Sequence, residues 1–428
     1  MPEQVVLLKE AFGVGRDVPL NYVARPNVDG EFLDSLTREK HVVIYGSSKQ
    51  GKTTLRRHCL DDADYIVISC VNTMSLADLN GAILKAAGYR IQQTFTKTVG
   101  GAWKFGAEFV GEGKVPFFAK ASAKTTGARE TTDQRAETTR KLEIDISDVN
   151  DIIMALQEIK FSKFIILEDF HYLSADVQKS FSFALKAYHE NSKLCFVIVG
   201  VWRDKNRLIY YNGDLTNRVV SVDVDVWSNE HLREVISVSE ALLNIKIDEE
   251  AIRGVIYHSG DSVALVQEAC YRICKSADIL QTCDELTDVG RGVDAEKIVR
   301  EIVNDQAGRY SAFITNFSEG FQPTPLEMYK WVAYAVLVSP IEALESGLRR
   351  QQVALIIKNK HPEGLKLNEG NITQALQNTA SLQVLKSIRP IIFDYDQTTR
   401  VLTVVDRSFL IWLAHQDREE LLAEVGIE

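Results

Sequence analysis

One nine-residue stretch has residue types and spacing suited to holding phosphate groups, and it fits the pattern GxxxxGK[ST]. Its glycines let the backbone turn tightly, so that successive N–H groups and the start of a following helix face a bound anion. We expect Lys52 to reach the β- and γ-phosphates of ATP or GTP, and the Thr53 hydroxyl to ligate Mg²⁺. The residues predicted to contact the nucleotide here are Gly46, Ser47, Ser48, Lys49, Gln50, Gly51, Lys52, Thr53 and Thr54.

The elements on either side of this loop must position it. Residues 41–45 are apolar and rich in β-branched side chains, as in a buried parallel strand, and residues 55–59 have helical character. Strand, loop and helix in that order form the context that the motif requires. A glycine- and serine-containing loop of chance composition is the alternative, and the Lys52-Thr53 pair argues against it.

A second apolar run, residues 164–167, ends in two carboxylates. Acidic residues at such a strand end hold the metal and orient water in P-loop proteins. We expect Glu168 to serve Mg²⁺ through water and Asp169 to polarise the attacking water. The commoner order is Asp then Glu, so the reversal bears on the hydrolysis rate more than on nucleotide binding. An acidic turn of purely structural role is the other interpretation.

Two arginines flank later strands, one after the run 194–199 and one before the strand 219–224. After the run 194–199 come Arg203, Asp204 and Asn206, and one of them is expected to sense the γ-phosphate, although the sequence does not choose between them. Arg218 precedes the alternating strand 219–224 and suits an arginine finger offered to a neighbouring subunit. A surface salt bridge is the alternative for Arg218.

The alternation of strands and helices predicts a doubly wound parallel α/β sheet. Strands are expected near residues 42–45, 65–70, 164–167, 195–199 and 219–224, and helices near 53–60, 75–87, 147–158 and 174–190. We divide the chain into a P-loop core at 1–226, a helical lid at 227–320 and a winged-helix-like segment at 321–428. Before the first strand, Tyr22, Val23 and Arg25 are predicted to pack on the adenine, with a plain core role as the alternative for Tyr22.

An insertion at residues 90–145 separates the second strand from the acidic strand. Residues 103–109 and 117–124 alternate in polarity around a glycine-rich turn, which predicts an amphipathic β-hairpin. Residues 97–141 contain nine basic and five acidic side chains, although the whole chain is acidic. The hairpin either caps the sheet edge or contacts another subunit or a partner protein.

The C-terminal segment has the order of a winged helix, with three helices followed by two strands at 391–405. Its third helix, near residues 368–381, begins with a polar stretch that carries no lysine or arginine, whereas DNA recognition helices need such cations for phosphate contacts. From residue 322 onward we count 11 basic and 13 acidic residues. A packing or regulatory role is therefore favoured over DNA reading.

Taken together, these motifs resemble the prokaryotic AAA+ P-loop ATPases of the STAND class and their origin-initiator-like relatives. The resemblance rests on residues 21–25, 46–53, 168–172, 200–202 and 214–218, followed by a lid and a winged helix. It implies a switch that assembles when ATP-bound, in defence against phage or in DNA transactions. STAND proteins usually carry a long repeat sensor after the winged helix, and no such repeat follows here.

The overall composition limits the partners and the cellular location that we expect for this chain. A net charge of -10 and a pI near 5.5 argue against a wholesale polyanion binder. No apolar run reaches 18 residues, and residues 1–4 lack a signal-like pattern, so a cytoplasmic protein without a membrane span is expected. The six cysteines are expected to be reduced thiols. A zinc site near Cys270 and Cys274 is not favoured, because no Cys-x-x-Cys pair is present.

The leading hypothesis is an ATP-driven molecular switch that uses ATP and Mg²⁺ and either self-associates or binds a partner protein. A DNA-binding loader that uses the winged helix and the basic insertion is the first rival. A weakly hydrolysing scaffold is the second rival, suggested by the reversed Glu168-Asp169 pair and by the absence of a lid arginine before Arg272.

Overall fold

The computed structural model describes residues 5–13, 15, 18–97, 103–109 and 140–427. Its strands are β1 (His41–Gly46), β2 (Tyr65–Ser69), β3 (Tyr89–Lys97), β4 (Trp103–Phe109), β5 (Arg140–Ile144), β6 (Phe164–Glu168), β7 (Phe196–Val201), β8 (Val219–Asp223), β9 (Ile245–Ile247), β10 (Thr287–Val289), β11 (Leu348–Arg349), β12 (Phe393–Asp396) and β13 (Val401–Val404).

The helices of the N-terminal part are α1 (Leu8–Ala11), α2 (Pro26–Thr37), α3 (Lys52–Cys59), α4 (Leu76–Ala86), α5 (Val149–Glu158), α6 (Ala175–Asn191) and α7 (Arg207–Tyr211). Those that follow β8 are α8 (Asn229–Leu243), α9 (Glu249–His258), α10 (Val263–Ser276), α11 (Ala295–Asn304), α12 (Ala307–Ser318), α13 (Met328–Leu337), α14 (Ile341–Ser346), α15 (Arg350–Lys360), α16 (Glu369–Gln377), α17 (Thr379–Leu385), α18 (Arg407–Ala414) and α19 (Arg418–Glu424). None of the described helices is both long enough and apolar enough to cross a bilayer.

The central sheet has five parallel strands in the order β2-β6-β7-β1-β8. Every residue of β1 and β7 is buried, because helices cover both faces of these strands, as expected for continuous apolar runs. The strand β7 lies between β1 and the acidic strand β6, which is the inserted-strand arrangement of P-loop ATPases. The predicted doubly wound parallel sheet is confirmed, and its five strands lie where the sequence placed them.

The insertion differs from the predicted hairpin. The strand β4 pairs antiparallel with β3 on one edge and with β5 on the other. A strand has only two edges for hydrogen bonding, so the pairing predicted between residues 103–109 and 117–124 is wrong. The predicted second arm, 117–124, lies outside the described residues.

The chain after β8 is mostly helical, and α8, α9 and α10 lie within a residue or two of the amphipathic helices that the sequence predicts near residues 228–242, 248–258 and 262–276. Serine and aspartate side chains cap them: Ser228 accepts from the His231 N–H, Asp248 from the Glu250 N–H, and Ser262 from the Leu265 N–H. The six cysteines form no disulfide, and Cys270 and Cys274 lie in the apolar core between these helices.

The C-terminal segment contains α13 to α19 and a three-stranded antiparallel sheet in the order β11-β13-β12. Its apolar side chains join those of α8 to α12 in one continuous buried cluster, which also contains N-terminal residues such as Phe12 and Val23. The lid helices and the C-terminal helices therefore share a core. The assignment of this segment as a winged helix stays a prediction.

Candidate functional site: the phosphate loop and the strand ends around it

The phosphate loop joins β1 to α3 and depends on two glycines. Gly46 has φ +144°, and a Cβ there would lie 2.8 Å from both the Asp225 carboxylate and the Val224 side chain. Gly51 has φ +87° and directly precedes the first residue of α3. Both conformations are unfavourable for residues with a side chain. The loop amides and the N-terminus of α3 therefore border the same space, as an anion site requires.

Lys52 lies at the centre of this site. Its ammonium group donates to the carbonyl oxygen of Gly46 at 3.0 Å and to that of Ser47. Burial lowers the pKa of Lys52 to about 8, and the nearby carboxylates of Asp225, Asp169 and Glu168 oppose that shift. Acidic groups from two strand ends therefore surround the cation predicted to reach the nucleotide phosphates.

Asp225 is a site residue that the sequence analysis missed. Its carboxylate accepts from the Ser47 N–H and from the Ser47 hydroxyl, both at 2.7 Å. Its own N–H donates to the Asp223 carboxylate at 2.9 Å. Because β8 is parallel to β1, residues just beyond its carboxyl end lie beside the loop. The available signal was the position of Asp225, two residues after the end of β8.

Glu168 and Asp169 lie at the carboxyl end of β6, where the sequence placed them. Glu168 accepts from the Arg56 side chain at 3.0 Å, and the buried guanidinium of Arg56 also lies over the Tyr65 ring, with 4.7 Å between its carbon and the ring centroid. Burial raises the pKa of Glu168, and Arg56 opposes that shift. One oxygen of the predicted metal-side carboxylate is therefore engaged by a cation of the same chain.

Asp169 has a left-handed backbone, with φ +58°, which a non-glycine residue rarely adopts and which is common at functional turns. Partial burial raises its pKa, and Lys52 and Arg389 oppose the shift. The carboxylate therefore feels two cations, one from the phosphate loop and one from the C-terminal segment. Its predicted role in polarising water stays a prediction.

The residues at this edge of the sheet fit a magnesium ion held together with a nucleotide. Mg²⁺ prefers oxygen ligands and keeps several waters, so it needs only a hydroxyl and one or two carboxylates besides phosphate oxygens. Thr53 supplies the hydroxyl at the start of α3, and Glu168 and Asp169 supply the carboxylates. Among the described residues no cluster of three or more acidic, histidine or cysteine side chains forms an all-protein metal site.

A cleft borders the phosphate loop. It is lined by Gly51, Lys52, Thr53 and Thr54 of the loop and α3, and by the start of α10, including Val263 and Gln267. The third wall is the N-terminal segment, at Gly13, Gly15 and Pro19. The sequence analysis missed this earlier segment, whose glycines were the available signal.

The three residues predicted to pack on adenine have other described contacts. The Tyr22 ring stacks on His58 at 3.9 Å between centroids, and its hydroxyl donates to Asp29. Val23 is buried in the cluster that contains the lid helices. Arg25 is buried, donates to the Val224 carbonyl oxygen at 2.8 Å and lies over the Trp227 ring. Their role in adenine binding stays a prediction.

The two predicted arginines lie at opposite ends of the sheet. Arg203 follows β7 on the same edge as the phosphate loop and donates to the Glu345 carbonyl oxygen at 3.1 Å. Arg218 precedes β8, and the His41 N–H bonds to its carbonyl oxygen, which places it at the amino ends of the strands. Its side chain pairs with Glu190 at 2.8 Å. That end is opposite to the phosphate loop of the same chain, and the role of Arg218 as an arginine finger for a neighbouring subunit stays a prediction.

The C-terminal segment reaches the phosphate loop itself. The Ser48 N–H bonds to the Val405 carbonyl oxygen at 3.3 Å. Two residues further on, the Arg407 guanidinium donates to the Gly260 carbonyl oxygen at 2.7 Å, in the turn before α10. The Gln50 side chain is within 3.4 Å of the carbonyl oxygen of Asp261 in the same turn. Loop, lid and C-terminal segment therefore meet at one place.

Two further arginines link the C-terminal segment to the core. Arg207, at the start of α7, binds both carboxylate oxygens of Asp394 at 3.1 and 3.2 Å, and both side chains are largely buried. Arg389 lies over the Tyr172 ring at 4.6 Å and donates to the Asn72 side chain at 3.1 Å. These contacts join β12 and the segment before it to residues that follow β2, β6 and β7.

The strand order and the loop define a P-loop nucleotide-binding fold of the AAA+ type. No protein-family model matches the chain, and no curated protein matches it. Among solved structures, the Walker-type ATPase PABY2304 of Pyrococcus abyssi is 12% identical over 94% of this chain and 99% of its own, with a TM-score of 0.47. The Aeropyrum pernix Orc1 protein in complex with DNA is 13% identical over 98% and 97%, with a TM-score of 0.43.

Thermotoga maritima RuvB is also similar, at 12% identity over 89% of this chain and 92% of its own, with a TM-score of 0.36. Identities and TM-scores this low assign no function to the chain. The fold class rests on the chain's own strand order and phosphate loop.

Proposed function

We propose that this chain is an ATP-dependent molecular switch in which the C-terminal segment responds to the nucleotide. The observation that carries the proposal is the hydrogen bond from the Ser48 N–H to the Val405 carbonyl oxygen at 3.3 Å. Loop amides are the groups that bind phosphates. The nucleotide and the C-terminal segment therefore bind the same loop. Binding of the nucleotide changes the free energy with which the C-terminal segment docks on the loop, and docking changes the free energy of nucleotide binding.

The other contacts of the C-terminal segment support this coupling. Arg207 follows β7 and Tyr172 follows the acidic pair, so both lie next to positions that respond to a γ-phosphate in P-loop proteins. Each contacts the C-terminal segment, through Asp394 and Arg389 respectively. A small shift at these strand ends on ATP binding is transmitted to β12 and the residues before it. The signal is then a change in conformation or in self-association.

Slow hydrolysis belongs to the same proposal. The Arg56–Glu168 ion pair occupies one oxygen of the carboxylate that is predicted to serve Mg²⁺. Because the Arg56 side chain is only 4% exposed, the pair is screened weakly by solvent. A metal must compete with this contact, which favours long-lived ATP-bound states over rapid turnover. Such lifetimes suit a switch.

DNA binding is the alternative, and the charge pattern gives it less support. The helix α16, residues 369–377, carries no lysine or arginine, and Lys358 and Arg350 of the neighbouring helix α15 both pair with Glu369 at its start. The roles implied by the STAND resemblance, in phage defence or in DNA transactions, stay predictions.

Nucleotide binding and particle size, measured together, test the proposal. Binding of ATP and Mg²⁺ is followed by calorimetry, and mass and hydrodynamic radius by size-exclusion chromatography with light scattering. We expect Lys52→Ala to lose ATP binding and the exposed Lys163→Ala, in the turn before β6, to retain it. The Asp169→Asn chain should bind ATP without hydrolysing it and should show the ATP-dependent change most fully.

Two outcomes have different meanings. An unchanged ATP affinity in Lys52→Ala would show that the loop is not the nucleotide site. Tight ATP binding with the same mass and radius with and without nucleotide, in both the wild type and Asp169→Asn, would refute the switch and leave nucleotide binding intact.

A further inference from the structure

A second cavity lies between the core and the C-terminal segment, apart from the phosphate cleft. Its core walls include Tyr172 and Gln178 near α6, and Asp204, Arg207, Tyr210 and Tyr211 around α7. Its C-terminal walls come from α16, α17 and β12, including Tyr395. The cavity has a volume of about 150 Å³. A cavity of that size accommodates a molecule built on one aromatic ring.

Aromatic rings form much of the lining. Four tyrosines contribute, and in the described part of the chain none of their hydroxyls has a hydrogen-bond partner: Tyr172, Tyr210, Tyr211 and Tyr395. The Tyr172 ring already carries the Arg389 guanidinium at 4.6 Å. Tyrosine faces attract cations through the negative potential of the ring. The lining is therefore suited to a flat, positively charged guest.

The charges of the cavity are not balanced. Arg207 is neutralised by Asp394, at 3.1 and 3.2 Å. Asp204 is only 6% exposed, accepts from the Asn206 N–H at 2.8 Å, and forms no ion pair with any described cation. Burial and then Asp396 raise the pKa of Asp204 to about 7, while the Asn206 N–H and Arg207 oppose the shift and Asp394 adds to it.

A buried carboxyl group without a cation partner is costly in its charged form. A ligand that brings a positive charge to Asp204 removes that cost and gains a charge-assisted hydrogen bond. The apolar body of the same ligand is covered by tyrosine rings and by the side chains of α17. A few convergent polar groups among aromatic and aliphatic side chains are the usual features of a small-molecule site.

We propose that this cavity binds a small organic cation, with its ammonium or amidinium group beside Asp204 and its flat apolar body between the tyrosine rings. The site lies apart from the nucleotide cleft, and its ligand contacts both the core and the C-terminal segment. The cation stabilises the ionised form of Asp204, so affinity rises as the pH increases through about 7. The other charged groups that face Asp204 are Arg207, Asp394 and Asp396.

Three probes of matched shape test the proposal on the full chain: benzylammonium, the neutral benzyl alcohol and the anionic benzoate. Binding is measured by calorimetry and by the shift in thermal unfolding, at pH 6 and pH 8. We expect benzylammonium to bind at least about tenfold more tightly than benzyl alcohol, as for a charge-assisted hydrogen bond. Its affinity should be higher at pH 8, and benzoate should not bind.

Asp204→Asn keeps the side-chain shape and removes the charge, and Asp284→Asn makes the same change at an exposed lid position. Circular dichroism checks that both variants fold. Asp204→Asn should reduce benzylammonium affinity to that of benzyl alcohol and remove its pH dependence, while Asp284→Asn should match the wild type. The proposal is overturned by equal binding of the cation and the alcohol, by preferred binding of benzoate, by no binding of benzylammonium, or by wild-type affinity in Asp204→Asn.

Discussion

The ion pair between Arg207 and Asp394 should hold the C-terminal segment on the core. Its side chains are 14% and 2% exposed, and the Arg207 guanidinium also donates to Gln178 at 3.2 Å and lies over the Trp202 ring. Burial disfavours the charged form of Arg207, yet Asp394 holds its pKa above the ordinary value. The Arg207 guanidinium therefore stays charged, and the loss of Asp394 leaves that buried charge uncompensated.

The change Asp394→Asn keeps the shape and removes the negative charge. Breaking one partner of a buried pair typically costs about 3–5 kcal/mol, whereas exposed pairs contribute about 0–1 kcal/mol. A loss of about 3 kcal/mol corresponds to a factor of roughly 100 in the equilibrium between docked and undocked forms. Hydrogen exchange of the β12 and β13 amides should accelerate by about that factor, and urea should release the segment at a lower concentration.

The matched control is Glu249→Gln, which breaks the exposed pair with Arg233 and should have no measurable effect on exchange. The double variant Arg207→Met with Asp394→Leu removes both charges and should recover much of the lost stability. An unchanged rate of hydrogen exchange in Asp394→Asn would show that this pair does not hold the segment in place. A loss of stability in the double variant equal to the sum of the losses in its two single variants would show the same.

Three further predictions concern other parts of the chain. Burial lowers the pKa of His41 to about 3, with His189 acting in the same direction, whereas the unfolded value is about 6.5. The stability that depends on a neutral His41 is therefore fully present above about pH 6.5 and falls on acidification toward pH 3, by up to about 1.4 kcal/mol per pH unit. Urea titrations across that range should show that the free energy of unfolding depends less steeply on pH in His41→Gln than in the wild type. An equal dependence on pH in both proteins would contradict this assignment. Arg56→Met releases Glu168 and should raise steady-state ATP turnover, so unchanged or lower turnover would count against the proposed braking contact. Arg218→Ala should lower the turnover of assembled chains by about 10³ if it acts as a finger. Mixing it with Asp169→Asn chains should restore activity, and a mixture as inactive as its parts would argue for the surface salt bridge with Glu190.

Much of the fold was predictable because its signals are local. Residues 41–45 and 164–167 are short apolar runs, which are typical of parallel strands covered on both faces. The helices α8, α9 and α10 are each preceded by a serine or aspartate that caps the first turn, and such caps are signals that a sequence carries locally. The pairing of β4 was not predictable, because alternation of polarity marks a strand but does not name its neighbours.

The candidate site also contains residues that a local pattern predicts and contacts that no local pattern predicts. The positions from Gly46 to Thr54 follow from one short pattern, since a phosphate loop is built from consecutive backbone amides. Arg56 is also close in sequence, but its partner Glu168 lies 112 positions away, and only the parallel pairing of the sheet brings them together. A local pattern contains no information about such a contact.

The sequence alone therefore determined the strand, loop and helix around residues 46–54, the acidic end of β6 and the parallel α/β sheet, because consecutive residues carry each of these signals. Tertiary structure alone decided that Asp225 binds the loop, that Val405 reaches the Ser48 amide, and that Asp204 lies unpaired in a cavity of tyrosines. Each of these contacts joins residues distant in the chain. Their energies depend on burial and on the charges of neighbours, which exist only after the elements have packed.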